Sequence, residues 1–175
     1  MKHWSEEREV FIRIRKALSE GTIDGEIISA FPVTLETASS LIALAKEFQP
    51  VTDEEYKSEI RWIIETFGRM AKDLAPMINL FNEIVVILEN LDEKESVESV
   101  RDIILKTIDQ FINRLKSSLE ITTSNCAKQF KDREKVFVYS CNKTVNTAII
   151  KARDLGKKLS CSYRIKVLVR RIKFS

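Results

Sequence analysis

The helical pattern of this chain breaks at the stretch Val136-Phe-Val-Tyr-Ser-Cys-Asn-Lys-Thr-Val145. Its first four residues are an apolar run of strand-forming side chains, and the residues after it predict a helix from about Lys143 to Leu159. A second strand is predicted from Tyr163 to Phe174, where apolar and basic residues alternate. A strand, a helix and a strand of this length are typical of a parallel crossover unit, which is right-handed in nearly all proteins.

The residues before this stretch follow helical spacing, and the chain has only 4 glycines and 3 prolines, which favours long helices. Thr52-Asp-Glu-Glu55 predicts a capping box at the start of one helix. The longest apolar stripe predicts a helix from Val97 to Phe130. A stripe this wide packs between two neighbouring helices more often than it forms a coiled coil. We therefore expect a mainly α fold, with a helical domain at 1–132 and an incomplete β-α-β segment at 133–175.

The charge of the chain changes at the same place. Residues 1–132 contain 17 Lys and Arg against 24 Asp and Glu, whereas residues 133–175 contain 12 against 2. A basic tail can contact nucleic-acid phosphates, but no RNA-reading motif accompanies this one and the body is acidic. Nucleic acid is therefore not the expected partner, and basic edge residues also discourage strand-to-strand aggregation. The basic residues of the second strand are Arg164, Lys166, Arg170, Arg171 and Lys173.

Composition excludes several other classes of protein. No apolar stretch reaches the roughly 20 residues that a membrane span needs, and the charged N-terminus lacks the apolar core of a secretion signal. The three cysteines are widely spaced, and with the single histidine, His3, they make no zinc pattern. We expect a cytoplasmic protein with reduced thiols, no metal, no cofactor and no membrane contact.

The turn between the first predicted strand and the helix is the best candidate site. Ligands of open parallel sheets lie beyond the carboxyl ends of the strands, and a helix N-terminus has unpaired amides that bind anions. Ser140, Asn142, Lys143 and Thr144 add side-chain donors, and Cys141 is placed where a helix start lowers the pKa of a thiol. The alternative is purely structural: Ser140 or Asn142 caps the helix, Cys141 packs as a small apolar group, and Lys143 is solvated. No glycine-rich phosphate loop is present.

Four features together resemble the translation initiation factor 2B alpha/beta/delta family, which includes ribose-1,5-bisphosphate and methylthioribose-1-phosphate isomerases. They are Pro76-Met-Ile-Asn-Leu-Phe-Asn82, the long helix to Phe130-Lys-Asp132, Val136-Phe-Val-Tyr-Ser-Cys-Asn-Lys-Thr-Val145, and Lys151-Ala-Arg-Asp-Leu-Gly-Lys-Lys158. The resemblance covers roughly Ile14 to Leu159. It implies a helical N-terminal domain followed by a Rossmann-like domain, a sugar phosphate or nucleotide as ligand, and homo- or hetero-oligomers with related subunits.

The same resemblance bears on catalysis. Cys141 falls where the isomerases carry a catalytic cysteine, but the phosphate-contacting residues of the family are replaced by Ile28-Ser-Ala30 and Ala75-Pro76, and the catalytic aspartate would lie beyond Ser175. A thiol without its carboxylate partner and phosphate clamps does not run that acid–base chemistry. We therefore expect a non-catalytic subunit or fragment, with a truncated Rossmann-like unit, that acts through protein–protein contacts in translation initiation control. The alternative is a sugar-phosphate isomerase that uses Cys141.

Overall fold

The computed structural model describes residues 3–20, 22–23, 26–27, 29–91, 95–138 and 143–163. The described part is mainly helical, with a small two-stranded parallel sheet near its end. After a short 3₁₀ turn, Trp4–Glu7, the elements are α1 Glu9–Glu20, β1 Thr22–Ile23, β2 Glu26–Ile27, α2 Ala30–Glu47, α3 Asp53–Met70, α4 Ala75–Asn90, α5 Val97–Gln129, β3 Lys135–Val138, α6 Lys143–Asp154 and β4 Ser160–Tyr163.

The chain forms two compact units, Met1–Leu115 and Lys116–Ser175. The boundary between these units lies within α5, whereas the sequence places a domain boundary at 132/133. The division into a helical domain at 1–132 and a Rossmann-like segment at 133–175 stays a prediction.

The first unit is a helical bundle around one apolar core. Helix α1 packs on α2 and α3, and both of these pack on α4. The side of α5 that carries Val100, Ile104, Ile108 and Phe111 is buried in the same core, as the spacing of the stripe predicts. A two-residue antiparallel ladder, β1 with β2, lies between α1 and α2 and was not predicted.

The start of α3 confirms the predicted capping box with one difference. The Thr52 Oγ1 accepts a hydrogen bond from the Glu55 N–H at 3.1 Å, as the motif requires. The Glu55 Oε2 accepts from the N–H of Val51 at 2.8 Å. The reciprocal bond therefore reaches one residue further back than in the standard motif and holds the segment that enters the helix.

Two arginines close the carboxyl ends of helices that lie far from them in sequence. Arg101 of α5 donates from Nε to the carbonyl of Ala45 at 3.1 Å and from Nη2 to that of Phe48 at 2.8 Å, at the end of α2. Arg61 of α3 donates to the carbonyl of Leu88 near the end of α4 at 3.2 Å. The last carbonyls of a helix lack partners within the helix and carry its negative dipole end, so these cations stabilise both ends.

The second unit contains the predicted parallel strands. Lys135 lies opposite Ser160 and Val138 opposite Tyr163 in the β3–β4 ladder. Val138 is buried, whereas Phe137, which points to the opposite face, is 62% exposed. Side chains at i and i+1 of a strand face opposite sides of a sheet, so one face of this sheet has a large apolar group in solvent.

The boundaries of the crossover helix correct the sequence prediction. Helix α6 ends at Asp154 rather than Leu159, because Gly156 takes the left-handed conformation with φ 85°. The Gly156 N–H donates to the carbonyl of Arg153 at 2.8 Å and the Lys157 N–H to that of Ala152 at 3.1 Å, which is the Schellman pattern. The second strand consequently begins at Ser160, three residues before the predicted start, and its predicted continuation over 164–174 lies outside the described residues.

Helical spacing predicts that α6 turns an apolar face inward, formed by Val145, Ala148, Ile149, Ala152 and Leu155. Ala148, Ile149 and Ala152 are buried, which confirms this in part. Val145 and Leu155 are exposed, which corrects the rest. Leu155 follows the last residue of the shortened helix, so helical spacing no longer decides where its side chain points.

Candidate functional site

The predicted site at the strand-to-helix turn lies largely outside the described residues. Ser140, Cys141 and Asn142 are in the range 139–142, which the structure does not describe. The two elements that flank the turn are where the sequence predicts them: β3 ends at Val138 and α6 begins at Lys143. The assignment of ligand-binding or catalytic roles to these three residues stays a prediction.

Two of the predicted site residues are described. Lys143 is the first residue of α6 and its side chain is exposed, while Thr144 is half-buried. Within the described residues of α6, the first turn contains no acidic side chain. A positive helix end with an exposed lysine remains compatible with an anion, and it equally fits a solvated helix start.

Asn146 is a further polar residue of this region, and the sequence alone does not predict that it is buried. It lies three positions after Lys143 on α6, and its buried Oδ1 has no hydrogen-bond partner among the described residues. A buried acceptor without a partner costs free energy, so such atoms often mark a missing donor. Sequence offers no signal for this, because an asparagine within an amphipathic helix is usually solvated.

The described cysteines do not add a site. Cys126 is exposed and Cys161 is half-buried, and both are free thiols. In the described ranges, no group of three or more His, Cys, Asp or Glu is placed to hold a metal ion. Across the same ranges, no helix combines the length and apolar character needed to cross a membrane.

A second candidate surface is a groove on the first unit, between α1 and α3. It encloses about 660 Å³. Its walls carry three basic residues, one acidic residue and several apolar groups. The lining residues are Glu6, Ile12, Arg15, Lys16, Ser19, Trp62, Thr66, Arg69 and Met70. The signal for this groove in the sequence is the outward face of α1, where the apolar Ile12 shares helical spacing with the basic Arg15 and Lys16.

A model of the Initiation factor 2 subunit family matches residues 26–167. The match covers most of both units, including the long helix and the β-α-β segment. This chain belongs to that family. The resemblance inferred from the four sequence features is therefore confirmed.

Two solved structures show the same fold. The crystal structure of eIF2B delta from Chaetomium thermophilum aligns with a TM-score of 0.74 at 13% identity, over 89% of this chain and 58% of that chain. A chain of the tetrameric eIF2B-beta2-delta2 complex from C. thermophilum aligns with a TM-score of 0.66 at 14% identity, over 89% of this chain and 51% of that chain. This family member therefore spans little more than half the length of these relatives. No curated protein sequence matches it significantly.

Proposed function

We propose that this chain is a non-catalytic, initiation factor 2B-like subunit that acts in the cytoplasm through contacts with related subunits in the control of translation initiation. Membership in the Initiation factor 2 subunit family supports a role in translation initiation. One of the similar structures is a tetramer of two kinds of family subunit, which supports association.

The observation that carries the proposal is the exposed side of the β3–β4 sheet. The Phe137 side chain is 62% exposed although the neighbouring Val138 is buried. Parallel sheets are normally covered on both faces, because their crossover connections place helices there. We interpret β3, α6 and β4 as the first part of a Rossmann-like sheet whose open face is covered when subunits associate.

The association test uses purified chain and light scattering after size exclusion. We expect a mass of at least twice 20.2 kDa, alone or after co-expression with related family subunits from the same cell. Phe137→Glu should shift the population to the monomer, because a carboxylate in a buried interface is costly. Val51→Glu is the matched control, since Val51 is 92% exposed in a loop of the first unit. A wild-type chain that stays monomeric in both settings would contradict the proposal.

The proposal that this subunit is non-catalytic is based on the residues at the positions where the family resemblance implies phosphate contacts. Ala75 begins α4 with an exposed methyl group where the family resemblance implies an arginine, and the half-buried Pro76 follows it. A methyl group cannot bind a phosphate. Incubation with ribose 1,5-bisphosphate or methylthioribose 1-phosphate should therefore give no ketose product. Turnover that Cys141→Ala abolishes would support the isomerase alternative instead.

A further inference from the structure

The α1–α3 groove is lined by one face of each of the two helices. On α1 the lining residues Ile12, Arg15, Lys16 and Ser19 are spaced 3, 1 and 3, which places them along one side of the helix. On α3 the lining residues begin at Trp62 and follow the same kind of spacing to Met70.

The floor of the groove is apolar and fixed. Ile12, which is 51% exposed, contributes an apolar side chain to the lining of the groove. The Trp62 ring stacks on His3 with centroids 4.1 Å apart and on Phe11 with centroids 5.1 Å apart. An aromatic ring held by two neighbours loses little side-chain entropy when another group packs against its free edge.

The rim of the groove is positive. Among the described residues, Arg15, Lys16 and Arg69 form no ion pair, whereas the nearby Arg13 pairs with Glu36 at 3.0 Å. Glu6 is the acidic lining residue. Three unpaired cations are clustered here although residues 1–132 carry an excess of acidic side chains. Cations left unpaired at a groove favour a partner of opposite charge.

We propose that this groove binds an acidic amphipathic helix of a protein partner. The apolar floor accepts the apolar stripe of such a helix, and the basic rim accepts its flanking carboxylates, which is the helix-in-groove mode of recognition. On α1 the lining residues extend from Ile12 to Ser19, about 10 Å along the helix axis, which matches about two turns of a partner helix. A purely anionic ligand would make no apolar contact with Ile12 and Met70, which also line the groove.

The test measures binding of synthetic peptides to the full chain. The probe is a peptide of about five helical turns with Leu at the i, i+3, i+4 positions and Glu beside them. One control peptide has Lys in place of Glu, and another keeps Glu and has Ser in place of Leu. Trp62 reports binding by fluorescence in a Trp4→Phe background, which leaves a single tryptophan of the two in the chain. Calorimetry on the wild-type chain gives the same affinity independently.

The variants distinguish binding in the groove from a nonspecific effect of net charge on affinity. The double substitution Arg15→Glu with Arg69→Glu should weaken binding of the Glu–Leu peptide about tenfold or more, and Ile12→Ser should weaken it about fivefold. Lys106→Glu is the control, because Lys106 is exposed on α5 and does not line the groove. All these side chains are exposed, so circular dichroism and the unfolding midpoint should stay close to those of the wild type.

Four results would overturn the proposal: no binding of the Glu–Leu peptide, equal binding of the Lys–Leu peptide, equal binding of the Ser-substituted peptide, or an affinity that the groove variants leave unchanged. The inference goes beyond the proposed subunit role and does not depend on it. Phe137→Glu tests association through the sheet and leaves the groove intact, so a failure of one proposal is distinguishable from a failure of the other.

Discussion

His3 and Glu59 lie 56 positions apart in sequence, and the His3 Nδ1 is 2.8 Å from the Glu59 Oε2. The other carboxylate oxygen of Glu59 accepts from the Ser5 N–H at 2.8 Å and from the Ser5 hydroxyl at 2.6 Å. Glu59 is only 5% exposed. A single buried carboxylate on α3 therefore fixes the residues before α1, and the same segment places His3 on the Trp62 ring.

Replacing Glu59 by leucine should destabilise the protein by about 2–4 kcal/mol, because it leaves the buried N–H and hydroxyl of Ser5 without an acceptor. Glu59→Gln keeps an acceptor oxygen for Ser5 and should cost less than about 1.5 kcal/mol. Urea unfolding followed by tryptophan fluorescence measures both values. If the two variants are equally unstable, the charge of Glu59 rather than its acceptor geometry holds the segment.

The helices of the first unit were predictable, but this carboxylate was not. Apolar spacing depends on neighbours three and four positions away, so a window of sequence contains the whole signal for the α5 stripe and for the Thr52 capping box. Glu59 follows the same helical pattern as its exposed neighbours on α3, and its partners lie 54 and 56 positions earlier. Nothing local distinguishes a buried, paired glutamate from a solvated one.

Arg101 should be more important for stability than Arg61. Arg101→Met removes two hydrogen bonds at the end of α2 and the contact of the guanidinium with the Tyr56 ring, 5.4 Å from its centroid. We expect Arg101→Met to lower the free energy of unfolding by about 1.5–3 kcal/mol. Arg101→Lys should lower it by about half as much, since an ammonium keeps the charge but lacks the planar fork of donors. Arg61→Met, which removes one hydrogen bond, is the matched comparison. An equal loss in the two methionine variants would contradict this account.

The buried Tyr56 hydroxyl should make the protein less stable at alkaline pH. Burial raises the pKa of Tyr56 to about 12, although the Arg101 charge opposes part of the shift. Because the folded pKa lies above the unfolded value near 10, the stabilisation is complete below pH 10 and is lost as pH rises towards 12. An ultraviolet titration should show one of the three tyrosines ionising late. Tyr56→Phe should remove the late step and flatten the loss of stability; a late step that persists would assign the shift to another tyrosine.

The second unit shows where sequence analysis reaches its limit. The order strand, helix, strand follows from the change in period, and the parallel β3–β4 ladder confirms it. The predicted end of this helix, Leu159, lies five residues beyond the observed end at Asp154, because apolar residues at helical spacing continue as far as Leu155. The left-handed φ of Gly156 overrides that spacing. The candidate site at Ser140, Cys141 and Asn142 lies outside the described residues, so its chemistry stays a prediction.

Arg133 is a site at which a substitution should stabilise the protein. Its φ is 60°, in the left-handed region that favours glycine, and its side chain is mostly exposed. Arg133→Gly should add about 0.5–1 kcal/mol to the free energy of unfolding, because the backbone strain is removed. Arg133→Ala keeps the strain and should stay within about 0.5 kcal/mol of the wild type. Thermal unfolding measures both, and a gain in the alanine variant would point to the arginine charge instead.

Lys157 should stabilise the second unit by closing the end of α5. Its ammonium donates to the carbonyls of Ala127 at 2.9 Å, Lys128 at 2.8 Å and Phe130 at 2.5 Å. The Schellman motif at Gly156 places the residue there directly after α6. Lys157→Met leaves three helix-terminal carbonyls without this donor and should cost about 1–3 kcal/mol.

The neighbouring Lys158 provides the control for this effect. Its backbone N–H donates to the Asp132 Oδ1 at 2.9 Å, and its side chain is exposed, so Lys158→Met should change stability by less than about 0.5 kcal/mol. Hydrogen exchange of the amides of α6 and β4 is the suitable measurement, because local opening of one unit need not follow global unfolding. Faster exchange in the Lys157 variant alone is expected. Equal acceleration in both variants would mean that net charge, and not the three carbonyl contacts, sets the stability of this unit.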